Sequence, residues 1–406
     1  MATVATQAAF HAVSIAKLMP SLLERPEFSL NNARLLLSRL MLNMRVPHDG
    51  MGASIRQVSF RLTDLCNLRC HTCGQWGDNG YLRGKPMAEL VRSEVSTERY
   101  IELLEDLAQH GHRPNVYLWG GEPMLYRGLV PLVEAAAKLG LPTSISTNAT
   151  KLADNAERLV RAPMFLIQVS IDGADAATHN ACRPGANRSA DNYASIVDGL
   201  NAVKAERTRH GARLPILAGL CTINHLNADR LVDIYDAFAD KLEAIVFSLL
   251  WWIDDESATQ HTYEFTRRFG NMPTRHLGWI GGWRPTDYEA LSRQLKEVCR
   301  RSVTSKGPSV VLLPHLTEPK DLERYYTQHN ETFGYDRCTS IYRAVEIDSN
   351  GDMSPCRDYH DYVVGNVKKN TITELWNNEA YRRFRCSVSQ EGLMPVCTRC
   401  CGLMGN

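Results

Sequence analysis

From about Gln57 to Leu250, short apolar runs alternate with longer segments in which apolar residues recur every three or four positions. The short runs are typical of buried strands and the longer segments of amphipathic helices. The predicted strands are Val58–Leu62, Asn115–Trp119, Thr143–Ser146, Phe165–Ser170, Ile216–Thr222 and Ala244–Leu250. The predicted helices are Thr97–His110, Leu129–Leu139, Leu152–Arg161, Asp191–Arg209 and Asn227–Lys241. This alternation predicts an α/β fold of parallel βαβ units, and six units can be counted, which fits a partial (β/α)6 TIM-like barrel.

The N-terminal residues carry apolar side chains at helical spacing in Phe10–Leu23 and Asn31–Met44. We expect a helical extension that packs on the main domain. A helix lying on a membrane surface is the alternative, because arginines surround the apolar run Leu35–Leu42.

The C-terminal part has weak periodicity before a β-like stretch at Ala344–Asp348, a turn at Asn350-Gly351 and a helix near Thr373–Arg385. The predicted domains are a helical extension at 1–50, a barrel at 51–250, a connecting and substrate-facing segment at 251–330, and a small cysteine-bearing domain at 331–406.

Composition and charge narrow the class of protein. The chain has 46 Lys and Arg against 45 Asp and Glu, so general nucleic-acid or membrane electrostatics is not implied. No apolar stretch approaches membrane-spanning length, and the first residues do not resemble a secretory signal. We therefore expect a cytoplasmic enzyme, in which thiols stay reduced. Most of the 12 cysteines fall into two clusters, which favours metal ligation over a disulfide framework.

The first cluster is the CxxxCxxC run of Cys66, Cys70 and Cys73, in a loop directly after the first predicted strand. Thiolates are the natural ligands of iron–sulfur clusters, and a four-iron cluster takes four of them. Three thiolates leave one iron open to bind a substrate or cofactor, as catalytic metal sites do. A zinc knuckle that recruits His71 as its fourth ligand is the alternative.

Polar residues also follow the next three predicted strands. These are Gly120-Gly121-Glu122-Pro123, Ser146-Thr147-Asn148 and Ser170-Ile171-Asp172-Gly173. Each motif alone is an ordinary connection. Together with the cysteine loop they make four motifs at the carboxyl ends of successive strands, which is where barrel enzymes carry their chemistry.

In motif and order, residues 56–250 resemble the radical S-adenosylmethionine (SAM) superfamily. The resemblance implies that Cys66, Cys70 and Cys73 hold a [4Fe-4S] cluster whose open iron binds SAM, and that one-electron reduction cleaves SAM to a 5′-deoxyadenosyl radical. It also implies a flavodoxin- or ferredoxin-type electron donor. The SAM contacts implied by position are Gly120, Gly121 and Glu122 for the methionine ammonium, Ser146 and Asn148 for the same moiety, Ser170 and Asp172 for the ribose, and Arg183 for the carboxylate.

The second cluster begins at Cys338, continues with the GxxxxC unit Gly351–Cys356, and ends with Cys397-x-x-Cys400. This order is similar to the shortened SPASM, or twitch, auxiliary domain of radical SAM enzymes. The resemblance implies a second [4Fe-4S] cluster held by Cys338, Cys356, Cys397 and Cys400. Either Cys386 or Cys401 could replace one of these ligands, and a four-cysteine zinc ribbon remains an alternative.

The predicted activity is abstraction of a hydrogen atom from an unactivated C–H bond. A small polar metabolite, such as an amino sugar or nucleoside, is favoured by the aromatic and acidic segment that begins at Trp251. A ribosomally made peptide and a lipid are the alternative substrates. A non-catalytic iron–sulfur or zinc scaffold is the alternative of another class. The predicted partners are thus a small-molecule substrate and an electron donor, without nucleic acid.

Overall fold

A computed structural model describes residues 17–186 and 191–404 of the chain. Its strands are β1 Gln57–Thr63, β2 Asn115–Gly120, β3 Thr143–Thr147, β4 Leu166–Ser170, β5 Ile216–Ile223, β6 Ala244–Leu249, β7 Ser309–Leu313, β8 Ala344–Ile347, β9 Asp352–Ser354 and β10 Gly365–Asn366. Its α-helices are α1 Pro26–Met44, α2 Met87–Ser93, α3 Thr97–Gln109, α4 Leu129–Lys138, α5 Leu152–Arg161, α6 Ala176–Cys182, α7 Asn192–His210, α8 Leu231–Ala237, α9 Asp255–Phe269, α10 Tyr288–Thr304, α11 Pro319–Thr327, α12 Ile372–Trp376, α13 Glu379–Gln390 and α14 Cys401–Met404.

The described chain forms two compact units. The cysteine unit comprises residues 30–145, 251–282 and 328–404, and the companion unit comprises residues 17–29, 146–250 and 283–327. Much of the predicted helix Phe10–Leu23 lies outside the described residues, although residues 17–22 are helical. Among the described residues, no helix has both the length and the apolar character needed to cross a membrane.

In the cysteine unit, β1 lies between β8 and β2, parallel to both. Strand β2 pairs in parallel with β3, and β9 pairs antiparallel with β8 and β10. The turn predicted at Asn350-Gly351 joins β8 to β9, and Gly351 has a positive φ of 92°, which glycine adopts without strain. The sequence predicted this hairpin but not its attachment to β1.

In the companion unit, β4, β5, β6 and β7 form a run of parallel pairs. Strand β7 was missed, because four of its five residues form an apolar run without alternation and the strand follows a segment of weak periodicity. The same segment contains α9, α10 and α11, each of which places charged residues on all but a narrow face. The α/β class and the six predicted strands are confirmed.

Helix α3 shows why these segments fold as they do. Its buried residues Tyr100, Leu103, Leu104 and Leu107 recur at helical spacing. The Ser96 hydroxyl accepts a hydrogen bond from the Arg99 amide and so caps the free N-terminus.

The helix predicted at Asn31–Met44 begins earlier, at Pro26, and two other predicted helices are shortened or divided in the structure. The helix predicted at Asn227–Lys241 is confined to α8, since Asn224 and Asn227 form hydrogen-bonded turns before it. The helix predicted at Thr373–Arg385 divides into α12 and α13, because the Asn378 side chain caps α13 by accepting from the Tyr381 amide.

Candidate functional site

The first three cysteines lie in the loop that follows β1 in the cysteine unit. The Cys66 sulfur accepts a hydrogen bond from the Leu68 amide and the Cys73 sulfur accepts one from the Trp76 amide, both at 3.4 Å. Amides directed at sulfur stabilise a thiolate, as iron ligation requires. Burial, with Cys70 and Glu122 nearby, raises the pKa of Cys66 to about 12. A bound cation would relieve that penalty, so the loop fits a cluster.

The glycine turn after β2 packs against the backbone that leads into this loop. The Gly121 amide donates to the Thr63 carbonyl at 2.8 Å, and the Glu122 amide donates to the Leu65 carbonyl at 2.7 Å. A Cβ atom on Gly120 would fall 2.3 Å from the Thr63 carbonyl oxygen. The Glu122 carboxylate is buried and accepts from the Met124 amide at 3.0 Å. The structure thus brings this predicted carboxylate close to the cysteine loop.

The remaining predicted SAM residues lie in the companion unit, where most of them have hydrogen-bond partners of their own. The Asp172 carboxylate accepts from Arg183 Nε at 2.7 Å and from the Thr222 amide at 2.8 Å. Ser146 Oγ donates to Gln168 Oε1 at 3.3 Å. Asn148 Oδ1 accepts from the Thr150 amide at 3.0 Å, and Ser170 ends β4 half-buried.

The four late cysteines predicted as ligands line one cavity in the cysteine unit. Its wall includes Cys338, Cys356, Cys397 and Cys400. The other lining residues are mostly apolar: Phe265, Ile341, Phe384, Val388, Met394, Val396 and Leu403, with His261 and Tyr359. Thiols on an apolar wall are the surroundings expected for a structural or electron-transfer cluster.

Burial shapes the chemistry of this cavity. It raises the pKa of the Cys397 thiol to about 12 and the pKa of Cys356 and Cys400 well above the usual range. Ionised thiols in this cavity need a compensating cation, which fits a cluster. No three His, Cys, Asp or Glu side chains within residues 17–186 and 191–404 could hold a single metal ion.

Cys386 and Cys401, the two alternative ligands of the second cluster, do not line this cavity. The Cys386 sulfur lies 3.6 Å from the His48 carbonyl oxygen. The Cys401 sulfur lies 3.2 Å from the Asp358 carboxylate, which the Cys400 sulfur also contacts. This placement favours the ligand set predicted from the resemblance over a set containing Cys386.

The sequence did not predict a group of charged and aromatic side chains on one face of the cysteine unit's sheet, in which two residues are buried and four are partly buried. We call this the inner-face group: Arg61, Tyr81, Trp119, Arg275, Trp279 and Asp348. Asp348 accepts from Arg61 Nη1 at 2.5 Å and from Arg275 Nη2 at 2.8 Å. The Arg61 guanidinium also bonds the Tyr81 hydroxyl and lies 4.9 Å from the Trp119 ring centroid. Arg61 is the one charged residue of β1, between the apolar Phe60 and Leu62, and that was the available signal.

This group adjoins the cysteine loop. A Cβ atom on Gly74, the residue after Cys73, would lie 2.4 Å from the Trp279 ring. The Trp119 Nε1, Trp279 Nε1 and Arg275 Nη1 atoms are buried and make no hydrogen bond to any residue of the described chain. Buried donors without acceptors are rare in proteins and point to a ligand.

The acidic residues of the segment that was predicted to face a substrate lie at the N-terminus of α9 instead. The Asp254 carboxylate accepts from the Ser257 amide as the helix N-cap, and Asp255 and Glu256 are exposed in its first turn. Trp251 stacks on Trp279 with ring centroids 4.0 Å apart. The aromatic half of that predicted segment therefore adjoins the inner-face group, whereas its carboxylates stabilise the helix terminus.

Comparison with protein-family models gives two matches. The model of the radical SAM superfamily matches residues 60–237, and that of the SPASM iron-sulfur cluster-binding domain matches residues 338–401.

Curated proteins and solved structures are also similar to this chain. The sporulation killing factor maturation protein SkfB of Bacillus subtilis (strain 168) is 30% identical over 81% of this chain and 67% of its own. An AdoMet-dependent heme synthase of Methanosarcina barkeri (strain Fusaro / DSM 804) is 22% identical over 84% of this chain and 88% of its own. The crystal structure of Streptococcus suis SuiB bound to precursor peptide SuiA covers 91% of this chain and 75% of its own, with a TM-score of 0.55 and 14% identity.

Proposed function

Because the chain belongs to the radical SAM superfamily and carries a SPASM iron–sulfur domain, we propose that it abstracts a hydrogen atom from an unactivated C–H bond of a small polar metabolite. Two [4Fe-4S] clusters and SAM are its cofactors. Its matched relatives are enzymes, which speaks against a non-catalytic scaffold.

The roles of individual residues follow the motif positions and the contacts around them. We propose that Cys66, Cys70 and Cys73 hold the first cluster and that Glu122 binds the SAM ammonium. Ser146, Asn148, Ser170, Asp172 and Arg183 are the remaining proposed SAM contacts. When bound, the first cluster and SAM supply the one-electron chemistry that the side chains lack.

Cys338, Cys356, Cys397 and Cys400 are the proposed ligands of the second cluster. With every iron ligated by protein, that cluster has no open position for substrate, so we assign it electron transfer. A flavodoxin- or ferredoxin-type protein is the proposed donor.

Three buried donors in the inner-face group favour a polar substrate that has acceptor oxygens. Trp119, Trp279 and Arg275 each present an N–H without an acceptor among the described residues. A substrate with carbonyl, carboxylate or hydroxyl oxygens would satisfy these donors, and burying it would exclude water from the reaction. Asp348 already pairs with both guanidinium groups of the inner-face group, so the site favours a substrate with acceptor oxygens over one with a further cation.

A peptide substrate is the second candidate, because SkfB is named as a maturation protein and SuiB binds a precursor peptide. Backbone carbonyls would satisfy the same three donors. The two candidates differ in size, not in the chemistry that the donors recognise.

Anaerobic reconstitution tests the cofactors first. Two four-iron clusters require about eight irons per chain, and incubation with SAM and dithionite should give 5′-deoxyadenosine. Cys70→Ala should abolish that product and lower the iron content to about four. Product formation that survives Cys70→Ala would overturn the cluster assignment.

The substrate class is tested by measuring which compounds raise 5′-deoxyadenosine formation above the rate with SAM alone. A panel of nucleosides and amino sugars is compared with a panel of peptides. For the compound that accelerates the reaction, Trp279→Phe should raise KM about tenfold, since a lost hydrogen bond to a buried acceptor costs about 1–3 kcal/mol. Trp251→Phe is the matched control, because it alters the stacked neighbour and leaves the donor in place. Acceleration by peptides alone would refute the small-metabolite proposal.

A further inference from the structure

One face of helix α1 packs against the rest of the cysteine unit, and another face is exposed to solvent. The Asn31 side chain is buried and donates to the Gly140 carbonyl at 3.2 Å, while Asn32 and Asn115 share a hydrogen bond of 2.8 Å. At the other end, Arg337 Nη1 donates to the Asn43 carbonyl at 3.0 Å. These polar contacts fix the helix at both ends.

The opposite face of α1 is apolar and is not covered by the described residues. It consists of Leu30, Leu36, Leu37, Leu40, Met41 and Met44, which are 51–77% exposed. Large apolar side chains grouped on one exposed face of a helix mark a surface that binds a partner or a membrane.

A groove of about 600 Å³ runs along the same helix within the cysteine unit. Leu37 and Met41 contribute to its wall, and so do Arg45, Arg56 and Arg343. The groove therefore combines apolar side chains of α1 with guanidinium groups.

No carboxylate of the described chain pairs with the arginines around this groove. From Leu30 to Arg56 the sequence has four arginines and one acidic residue, Asp49. No carboxylate of the described chain lies within ion-pair distance of Arg34, Arg39, Arg45, Arg56 or Arg343. Burial and the neighbouring Arg39 lower the pKa of Arg343 to about 10, which reports the same crowding of cations.

Arg343 brings a buried guanidinium group to the wall of this groove. Arg343 is 3% exposed and lines the groove. Its Nε and Nη2 atoms make no hydrogen bond within the described residues. A buried guanidinium without acceptors is costly, and phosphate oxygens match its geometry.

We propose that α1 and this groove form a docking site for an anionic phospholipid bilayer. The leucines and methionines of α1 enter the boundary between head groups and acyl chains, and one lipid phosphate occupies the groove at Arg343. Free phosphate would leave the apolar face uncovered. A second copy of the chain would bring two uncompensated arginine groups together, which like-charge repulsion opposes. This proposal is independent of the proposed substrate.

Vesicle flotation of the reconstituted enzyme tests the proposal. We expect binding to vesicles of phosphatidylcholine with phosphatidylglycerol, weak binding to phosphatidylcholine alone, and loss of binding at high salt. Leu40→Glu should weaken binding at least about tenfold, because it places a charge in the apolar boundary. Arg343→Gln should weaken it about fivefold, the effect of one lost cation.

Met272→Glu is the matched control, since Met272 is 72% exposed in the same unit but lies outside α1. Iron content and 5′-deoxyadenosine formation should stay unchanged in Leu40→Glu and Met272→Glu, which shows that both variants fold. Equal binding to both kinds of vesicle, or binding that survives Leu40→Glu, would overturn the proposal. So would a dimer in sedimentation that Leu40→Glu abolishes, or saturation of the groove by inorganic phosphate without vesicle binding.

Discussion

Gly121 lies directly against Leu65, so that a Cβ atom on the glycine would fall 2.2 Å from the Leu65 carbonyl oxygen. The same carbonyl accepts a hydrogen bond from the Glu122 amide at 2.7 Å. Leu65 immediately precedes Cys66. The turn after β2 and the cysteine loop after β1 therefore hold each other in position through backbone contacts that only glycine permits.

Gly121→Ala should displace the cysteine loop. A contact of 2.2 Å between Cβ and a backbone oxygen cannot be relieved by a side-chain rotation, so one of the two backbone segments must move. Displacement of about 1 Å is enough to disturb positioned chemistry, and we expect 5′-deoxyadenosine formation to fall about 100-fold. The measurement is the rate of product formation by the reconstituted variant with SAM and dithionite.

Gly282→Ala is the control, because an added Cβ atom there has no heavy atom within 4 Å. Its rate should match that of the unmodified enzyme. If Gly121→Ala keeps its full rate, the contact between the turn and the loop is not needed for the chemistry.

Substitution of one C-terminal cysteine should remove the second cluster and leave the first one in place. Cys397→Ala should lower the iron content from about eight to about four while the uncoupled formation of 5′-deoxyadenosine continues. Cys386→Ala should keep all of the iron, because Cys386 contacts the His48 carbonyl and does not line the cavity of the four ligands. Loss of iron from Cys386→Ala would replace one of the proposed ligands.

Motifs with a fixed spacing were the part of the site for which the sequence made its most specific predictions. Cys338 and Cys400 are far apart in the chain, yet the structure places both on one cavity wall with Cys356 and Cys397. The six predicted strands agree with the observed ones within two residues at each end. Both predictions rest on local signals: the confirmed strands on apolar runs, and the proposed ligand set, which stays a prediction, on cysteine spacing.

Long-range contacts were the part that the sequence could not predict. Nothing near Asp348 indicates that two arginines, 287 and 73 positions away, share its carboxylate. Strand β8 likewise pairs with β1 across most of the chain. Such pairings depend on tertiary packing, which short windows of sequence do not contain.

Asp348→Asn should destabilise the cysteine unit. The change keeps the shape of the side chain but leaves Arg61, which is 2% exposed, without its closest carboxylate. Breaking a buried ion pair on one side costs about 3–5 kcal/mol, because a buried charge remains. The measurement is the free energy of unfolding in urea. Asp321→Asn, which removes an exposed partner of Arg324, should change it by less than about 1 kcal/mol.

His179 should make the stability of the companion unit depend on pH. Its side chain is buried, and its Nδ1 accepts a hydrogen bond from the Asp172 amide at 3.2 Å. Burial, followed by the nearby Arg183, lowers the pKa of His179 to about 3 from 6.5. Because the unfolded chain binds the proton more tightly, the stability contributed by neutral His179 is complete above pH 6.5 and is lost progressively as the pH falls toward 3.

Between pH 7.5 and pH 5.5 this one group should lower the free energy of unfolding by about 1.4 kcal/mol. His179→Gln removes the titration, so its loss of stability over that interval should be smaller by the same amount. The exposed His110→Gln serves as the control and should retain the full loss. Urea unfolding curves of the three proteins at both pH values provide the comparison, and identical losses in all three would show that His179 is not held neutral by burial.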